Sequence, residues 1–474
     1  MKIITSLLIS LMVICSSSKA QYGSSGNLDV RSTGMAKTSN AASRGLYSLG
    51  INPSNLLSGI ETVDFLLPLP VPNLSLKTGT NFLSINELNY FFGGVDGEGR
   101  YLNDDDKDRL RNLFKGGGSV FADASVNLFA ISFKNESFGA IAFSISDYTA
   151  GKFVFPEALV NLALSGNTRG KTYTFDDEEI HSWWIRNYSI SYARKLYESE
   201  QGLFSLFNKI NGGISLKIVQ GFFYIGTEKV ETSINTSNTN AITGKADLLA
   251  FSSFSPSMGV KYDFDSSNTS KGSHPNPFMS PAGTGWGFDL GFNASIGELW
   301  NVSIAATDIG LITWKENTAE FLGSGDIFLD DLTNEAQWDT VKNKLFGESR
   351  RRGSFTTGLA SALRLGASCS LLNSMLIPGD LILAFDYNQG LNSYPGNSVI
   401  PRFSVGAEWK PCNWVPYFRT GLSVGGIDGF NLAFGMGIDM NVVEINLATS
   451  DLQALIAPNS AEHISLALGS RWKF

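Results

Sequence analysis

Residues 463–474 read HISLALGSRWKF. Successive side chains of a strand point to opposite faces. Ile464, Leu466, Leu468, Trp472 and Phe474 therefore share one side, with Ser470 their only polar member. His463, Ser465, Ala467, Gly469, Arg471 and Lys473 share the other. A soluble protein gains little from ending on a strand with a greasy face and a terminal Phe. A bacterial outer-membrane barrel needs one face for lipid, one for a wet lumen, and aromatics at the interface. Trp472 and Phe474 then serve as the assembly signal, with the outer-membrane barrel assembly machinery as the partner that reads it. An edge strand of a secreted soluble sandwich is the alternative.

The amino terminus fits export. Lys2 precedes an apolar run from Ile3 to Cys15, and Ser18-Lys19-Ala20 offers small residues for cleavage. Residues 1–20 are read as a signal peptide. Ile14 before Cys15 argues against lipidation. Beyond residue 20 no apolar segment is long enough for a membrane helix. Apolar residues make up 43% of the chain, spread in alternation. Only helices and closed barrels satisfy every backbone group in hydrocarbon, so a membrane location requires a barrel. The net charge of -8 argues against nucleic acid as a partner. The mature chain keeps Cys369 and Cys412, too few for a disulfide framework or a zinc site.

Trp286 to Ile296, WGFDLGFNASI, is the clearest internal strand. Trp286, Phe288, Leu290 and Phe292 oppose Gly287, Asp289, Gly291 and Asn293. Such a segment, at about 3.3 Å per residue and tilted about 40°, climbs about 25 Å, the height of a barrel's apolar band. Similar alternation marks 363–369, 381–387, 402–410 and 430–439. Further candidates are 61–77, 119–134, 137–148, 184–197, 211–226, 246–263, 299–309, 415–424 and 441–449. With the terminal strand these make about fifteen; bacterial barrels have even counts, so roughly fourteen span. The expected fold is an all-β, transmembrane, antiparallel up-and-down barrel over 61–474. Helical inserts are expected at 104–115, 155–164 and 334–346. The acids Asp104, Asp105 and Asp106 suit a helix start better than calcium, since the spacing and central Gly of an EF-hand loop are missing.

A barrel of this size encloses more space than strand side chains fill. Residues 21–60, rich in Gly, Ser, Ala and Asn, are expected to form a hatch inside it; a periplasmic leader is the alternative. The inward charges Arg364, Asp386, Arg402, Glu408, Arg419, Asp439, Glu444 and Arg471 would pair across the lumen and hold that hatch, or guide an anionic head group. In Phe65–Pro72, FLLPLPVP, Pro68, Pro70 and Pro72 lack amide hydrogens on one side of a strand. They mark either a lateral opening in the wall or a segment beyond the rim.

Catalytic signals are weak. His181, His274 and His463 are isolated, and no nucleophile elbow, phosphate loop or metal-binding His pair occurs. No enzyme, cofactor or metal site is expected.

Ser32-Thr33-Gly34-Met35-Ala36, Ala41-Ala42 and Asn52-Pro53-Ser54-Asn55-Leu56 resemble the plug signature of FadL-type and PorV-type outer-membrane barrels. Gly34, Met35, Asn52 and Pro53 carry the likeness; Ser54 stands where those families have Ala. Gly287–Gly291, Thr307–Gly310 with Trp314, Arg419–Gly426, Asp104–Phe114 and Ser189–Arg194 add to it. In this order the motifs most resemble the Bacteroidota-type group called domain of unknown function 5723. The resemblance implies a hatched barrel in the bacterial outer membrane. FadL-type relatives imply passive transport of small hydrophobic, fatty-acid-like compounds, with membrane lipid and the compounds as partners. PorV-type relatives imply the alternative, a non-transporting scaffold for surface assembly or secretion.

Overall fold

The computed structural model describes residues 29–474 except 60, 95–97, 167, 176–178, 204–205, 240, 263, 265–277, 331–334, 338, 341–346, 373–377 and 413. The expected signal peptide, His274 and most of the expected helix at 334–346 lie outside the described residues.

One antiparallel sheet closes on itself with fourteen wall positions. Chain order gives β1 (Val63–Leu66 and Asn73–Thr80), β2 (Gly118–Asn135), β3 (Gly139–Phe155), β4 (Glu179–Leu203) and β5 (Phe207–Val230). β6 comprises Ile242–Phe254 and Gly283–Ile296; β7 comprises Trp300–Trp314 and Thr318–Leu329. β8 comprises Glu348–Arg351, Phe355–Gly358 and Ala362–Leu372. Then follow β9 (Asp380–Gly390), β10 (Arg402–Lys410), β11 (Tyr417–Gly425), β12 (Phe430–Asp439), β13 (Val443–Thr449) and β14 (His463–Lys473). β14 pairs with both pieces of β1, which closes the cylinder.

The expected alternation fixes which face meets lipid. On β6, Trp286, Leu290 and Phe292 are exposed, whereas Asp289 and Asn293 are buried in the lumen. The sequence candidates 246–263 and 286–296 are two parts of one wall position. Phe254 stands opposite Phe223 on β5, and Gly283 stands opposite Gly221 two residues along. The insert 255–282 separates them, so fifteen candidates become fourteen strands. A lipid-facing charge is costly, so Phe288→Arg or Phe434→Arg should lower folding stability by about 2–4 kcal/mol near the midplane. Asn293→Arg, beside a lumenal cavity, should cost much less. Urea titrations in lipid vesicles would show the difference; equal costs would contradict this register.

Turns at 136–138, 297–299 and 440–442 are short, and 81–117, 156–178 and 450–462 at the other end carry helices. Short turns face the periplasm in such barrels. At the long-loop end Asn103 and Asp106 close a capping box on helix Asp104–Leu113, so the acids serve the helix start. Helix Ile85–Phe92, which the sequence reading missed, has its own box from Ser84 and Glu87.

Candidate functional site

The hatch runs from Asp29 to Leu57 inside the lumen, and the wall is shaped to receive it. Three wall glycines show how. A Cβ on Gly291 would lie 2.0 Å from Asn52 Oδ1, and one on Gly213 would lie 2.4 Å from the Ser54 amide nitrogen. One on Gly421 would lie 2.5 Å from the Met35 carbonyl. Only residues without a side chain let the hatch this close, its backbone at Gly213 and Gly421 and the Asn52 side chain at Gly291. The motif residues therefore sit at wall contacts: Gly34 against Gly435, Met35 against Gly406 and Gly421, Asn52 and Pro53 against Gly213 and Gly291. Asn52 also caps its own turn, accepting from the Ser54 amide at 3.1 Å, and donates to the Phe292 carbonyl.

Charge fixes the same docking. Glu408 accepts from Arg31 of the hatch through both oxygens, at 2.7 and 2.8 Å, and from Arg419 at 2.6 Å. Arg419 reaches Glu444 at 3.4 Å, and Arg471 pairs with Asp64 at 2.7 Å. Asp386 accepts the Ser39 and Asn40 amides, both at 2.7 Å. Arg402 pairs with Asp428, which Lys77 also holds at 2.5 Å. Arg364 bonds Thr307 and Asn388 instead of a carboxylate. Asp439 lies at the short-turn rim with Lys410 and Lys473. Asp428 sits in the β11–β12 turn. Burial opposes its charge, but Arg402 and Lys77 hold its carboxyl well below the usual carboxylate range. Lys37 at the hatch tip lies 4.0 Å from it. Burial, aided by Arg402, pushes the Lys37 amine down to about 7. The His463 ring is engaged by Asp451 at 2.5 Å and the Asp428 carbonyl at 3.0 Å.

The proline segment is not at the rim. Leu66 pairs with Ala130 and Asn73 with Asn127 on β2, so 67–72 leave the wall between two paired pieces. Six residues stand where β2 has only Leu128 and Phe129. Pro68, Leu69, Pro70 and Pro72 are exposed. The prolines bring no donors to this loop, and three of its carbonyls converge on one hydroxyl: Ser470 Oγ lies 3.4, 3.1 and 2.7 Å from the oxygens of Leu67, Leu69 and Val71. Asn73 stands in for the missing ladder, accepting from the Ser470 amide and donating to its carbonyl, both at 3.1 Å. Trp472 Nε1 donates to the Leu69 carbonyl at 2.8 Å, and Phe474 is exposed at the lipid-facing end.

Behind the break lies a small cavity bordered by Asp29, Val30, Leu46, Leu66, Asn73, Leu74 and Leu468. It shares Leu49, Ser125 and Asn127 in its lining with a larger chamber toward β3–β8. That chamber contains a cluster the sequence reading missed. Lys217 on β5 contacts Asp289 at 2.7 Å and Asp308 at 2.6 Å. Asp289 and Asp308 sit in motifs noted above, but their cation comes from β5, which pairs beside β6 yet is remote from both in sequence.

These features define a transmembrane β-barrel with an internal hatch. Residues 61–450 match the Family of unknown function (DUF5723), and the chain belongs to that family. Comparison with curated proteins gives no match. Among solved structures it is similar to a TodX deletion mutant described as a monoaromatic hydrocarbon channel (12% identity, TM-score 0.49, 95% of this chain and 99% of that one). It is also similar to the Pseudomonas putida toluene transporter TodX (11%, TM-score 0.44, 96% and 100%). A FadL homologue of Pseudomonas aeruginosa is a third (11%, TM-score 0.41, 96% and 100%).

Proposed function

We propose that this barrel sits in the bacterial outer membrane and passively passes small hydrophobic compounds, releasing them sideways through the break in β1. The observation that carries the reading is the wall itself. Between Leu66 and Asn73 the ladder is interrupted by a proline loop, and a cavity with Leu46, Leu66, Leu74 and Leu468 on its border lies behind the gap. A compound leaving there enters hydrocarbon without crossing the periplasmic water. The barrel assembly machinery, reading Trp472 and Phe474, belongs to the same proposal. A non-transporting surface-assembly scaffold is favoured by one feature, the hatch sealed by Arg31, Glu408 and the Asp386-bound amides.

Cysteines placed at 68 and 70, with Cys369 and Cys412 replaced by serine, test the exit. A lipid-soluble maleimide should label both positions in liposomes. No labelling from the bilayer would end the lateral route and leave the scaffold reading.

A further inference from the structure

The larger chamber has a chemistry of its own. Ser144, Ser146, Asn187, Ser189, Ser191 and Ser215 border it, facing Tyr148, Trp183, Ile185 and Leu359. Among the described residues, every charge on its lining but Arg364 has an opposite partner. Lys217 is spent on Asp289 and Asp308, and Asp147 is held by Arg186 through two bonds of 2.6 and 2.8 Å. A carboxylate entering here meets Asp289 and Asp308 and finds Lys217 occupied. Arg364 points at the neutral oxygens of Thr307 and Asn388 and is 6% exposed.

Among the described residues, two neutral polar groups on the chamber's lining lack partners. Trp183 is fully buried, lines the chamber, and its Nε1–H meets no acceptor. Asn127 Oδ1 meets no donor, and Asn127 borders both this chamber and the smaller cavity at the wall break. A buried donor or acceptor left unpaired costs about 1–3 kcal/mol, which a ligand supplying the missing partner recovers. A hydroxyl is both donor and acceptor.

We infer that the two neighbouring cavities, which share Leu49, Ser125 and Asn127 in their linings, take a neutral, hydroxyl-bearing amphiphile. Its hydroxyl end lies among Trp183, Asn127 and the serines, and its alkyl end lies toward Leu46, Leu66 and Leu468 at the wall break. This rests on the passage reading and narrows it, selecting against both fatty-acid carboxylates and bare hydrocarbons.

Three eight-carbon probes that differ only at the head group test it: 1-octanol, octanoate and octane. Saturable binding is measured on the full chain in lipid nanodiscs, against empty nanodiscs, with uptake into proteoliposomes in parallel. Octanol should bind at least about tenfold more tightly than either competitor, a difference of about 1.4 kcal/mol. Trp183→Phe keeps an aromatic ring and removes the donor; Asn127→Leu keeps a similar volume and removes the acceptor. Each should weaken octanol binding about five- to tenfold and leave octane unchanged. Octanoate bound as tightly as octanol, and lost in Arg364→Gln, would overturn the inference by placing an anion subsite on Arg364. Equal binding of octane, or octanol binding indifferent to both variants, would overturn it as well. Uptake of octane without octanol preference sinks this inference alone. If none of the three crosses, the passage reading falls with it.

Discussion

Gly213→Val combined with Gly421→Val is expected to drive the hatch from the lumen and raise single-channel conductance at least about tenfold. Both side chains would collide with hatch backbone: at 213 with the Ser54 nitrogen and the Pro53 carbonyl carbon, at 421 with the Met35 carbonyl. Backbone cannot swing aside as a flexible side chain can. Overpacking costs about 1–3 kcal/mol per site, and well-separated sites add. Together they approach about 2–6 kcal/mol, and each 1.4 kcal/mol changes a population about tenfold. Valine is a good strand residue, so the wall itself should survive. Planar-bilayer recording, with heat-modifiable gel migration to confirm a closed barrel, reads the result. A folded double variant with native conductance would show that residues 29–57 do not seal the lumen.

Glu408→Ala is expected to lower stability by about 3–5 kcal/mol, the cost of leaving a buried charge without its partner. Glu408 is the shared acceptor of Arg31 and Arg419, and all three are buried. Arg419 retains Glu444 at 3.4 Å, but no other carboxylate pairs with Arg31 among the described residues. The loss should therefore fall first on the hatch. Proteolysis at hatch residues should accelerate before the barrel's urea midpoint moves. Replacing Arg31 and Glu408 together with Met removes one cation and the shared anion, so the double change should recover part of the stability lost in Glu408→Ala. If Glu408→Ala protects the hatch as well as the native residue, the ion pair plays no part in docking.

Much of this was legible in alternation alone. Trp286–Ile296 and the terminal strand identify the lipid face because a period of two sorts side chains without knowledge of partners. Asp104–Asp106 announce a helix start by the dipole they oppose. The prolines at 68, 70 and 72 signal a defect, but not whether it lies in the wall or beyond it; that depends on pairing with Ala130 and Asn127. The same limit splits β6 into two apparent strands, since periodicity reports a face and never a neighbour. The glycines at 213, 291 and 421 read as ordinary strand glycines until the hatch lies against them. Lys217 pairs with Asp289 and Asp308, and Lys77 with Asp428 and Asp451. Spacing along the chain carries no trace of either cluster. Trp183 was missed for a different reason: an unpaired indole donor is a property of surroundings, not of sequence.

The central claim is that the wall opens at 67–72. Shortening that segment to two residues matches the two that Leu128 and Phe129 leave opposite it, and lets β1 run unbroken from Leu66 to Asn73. Proteoliposomes carrying the shortened barrel should take up a labelled hydrophobic compound no faster than protein-free liposomes, while those with the native chain take it up readily. Uptake through the shortened, folded barrel at the native rate would contradict the account.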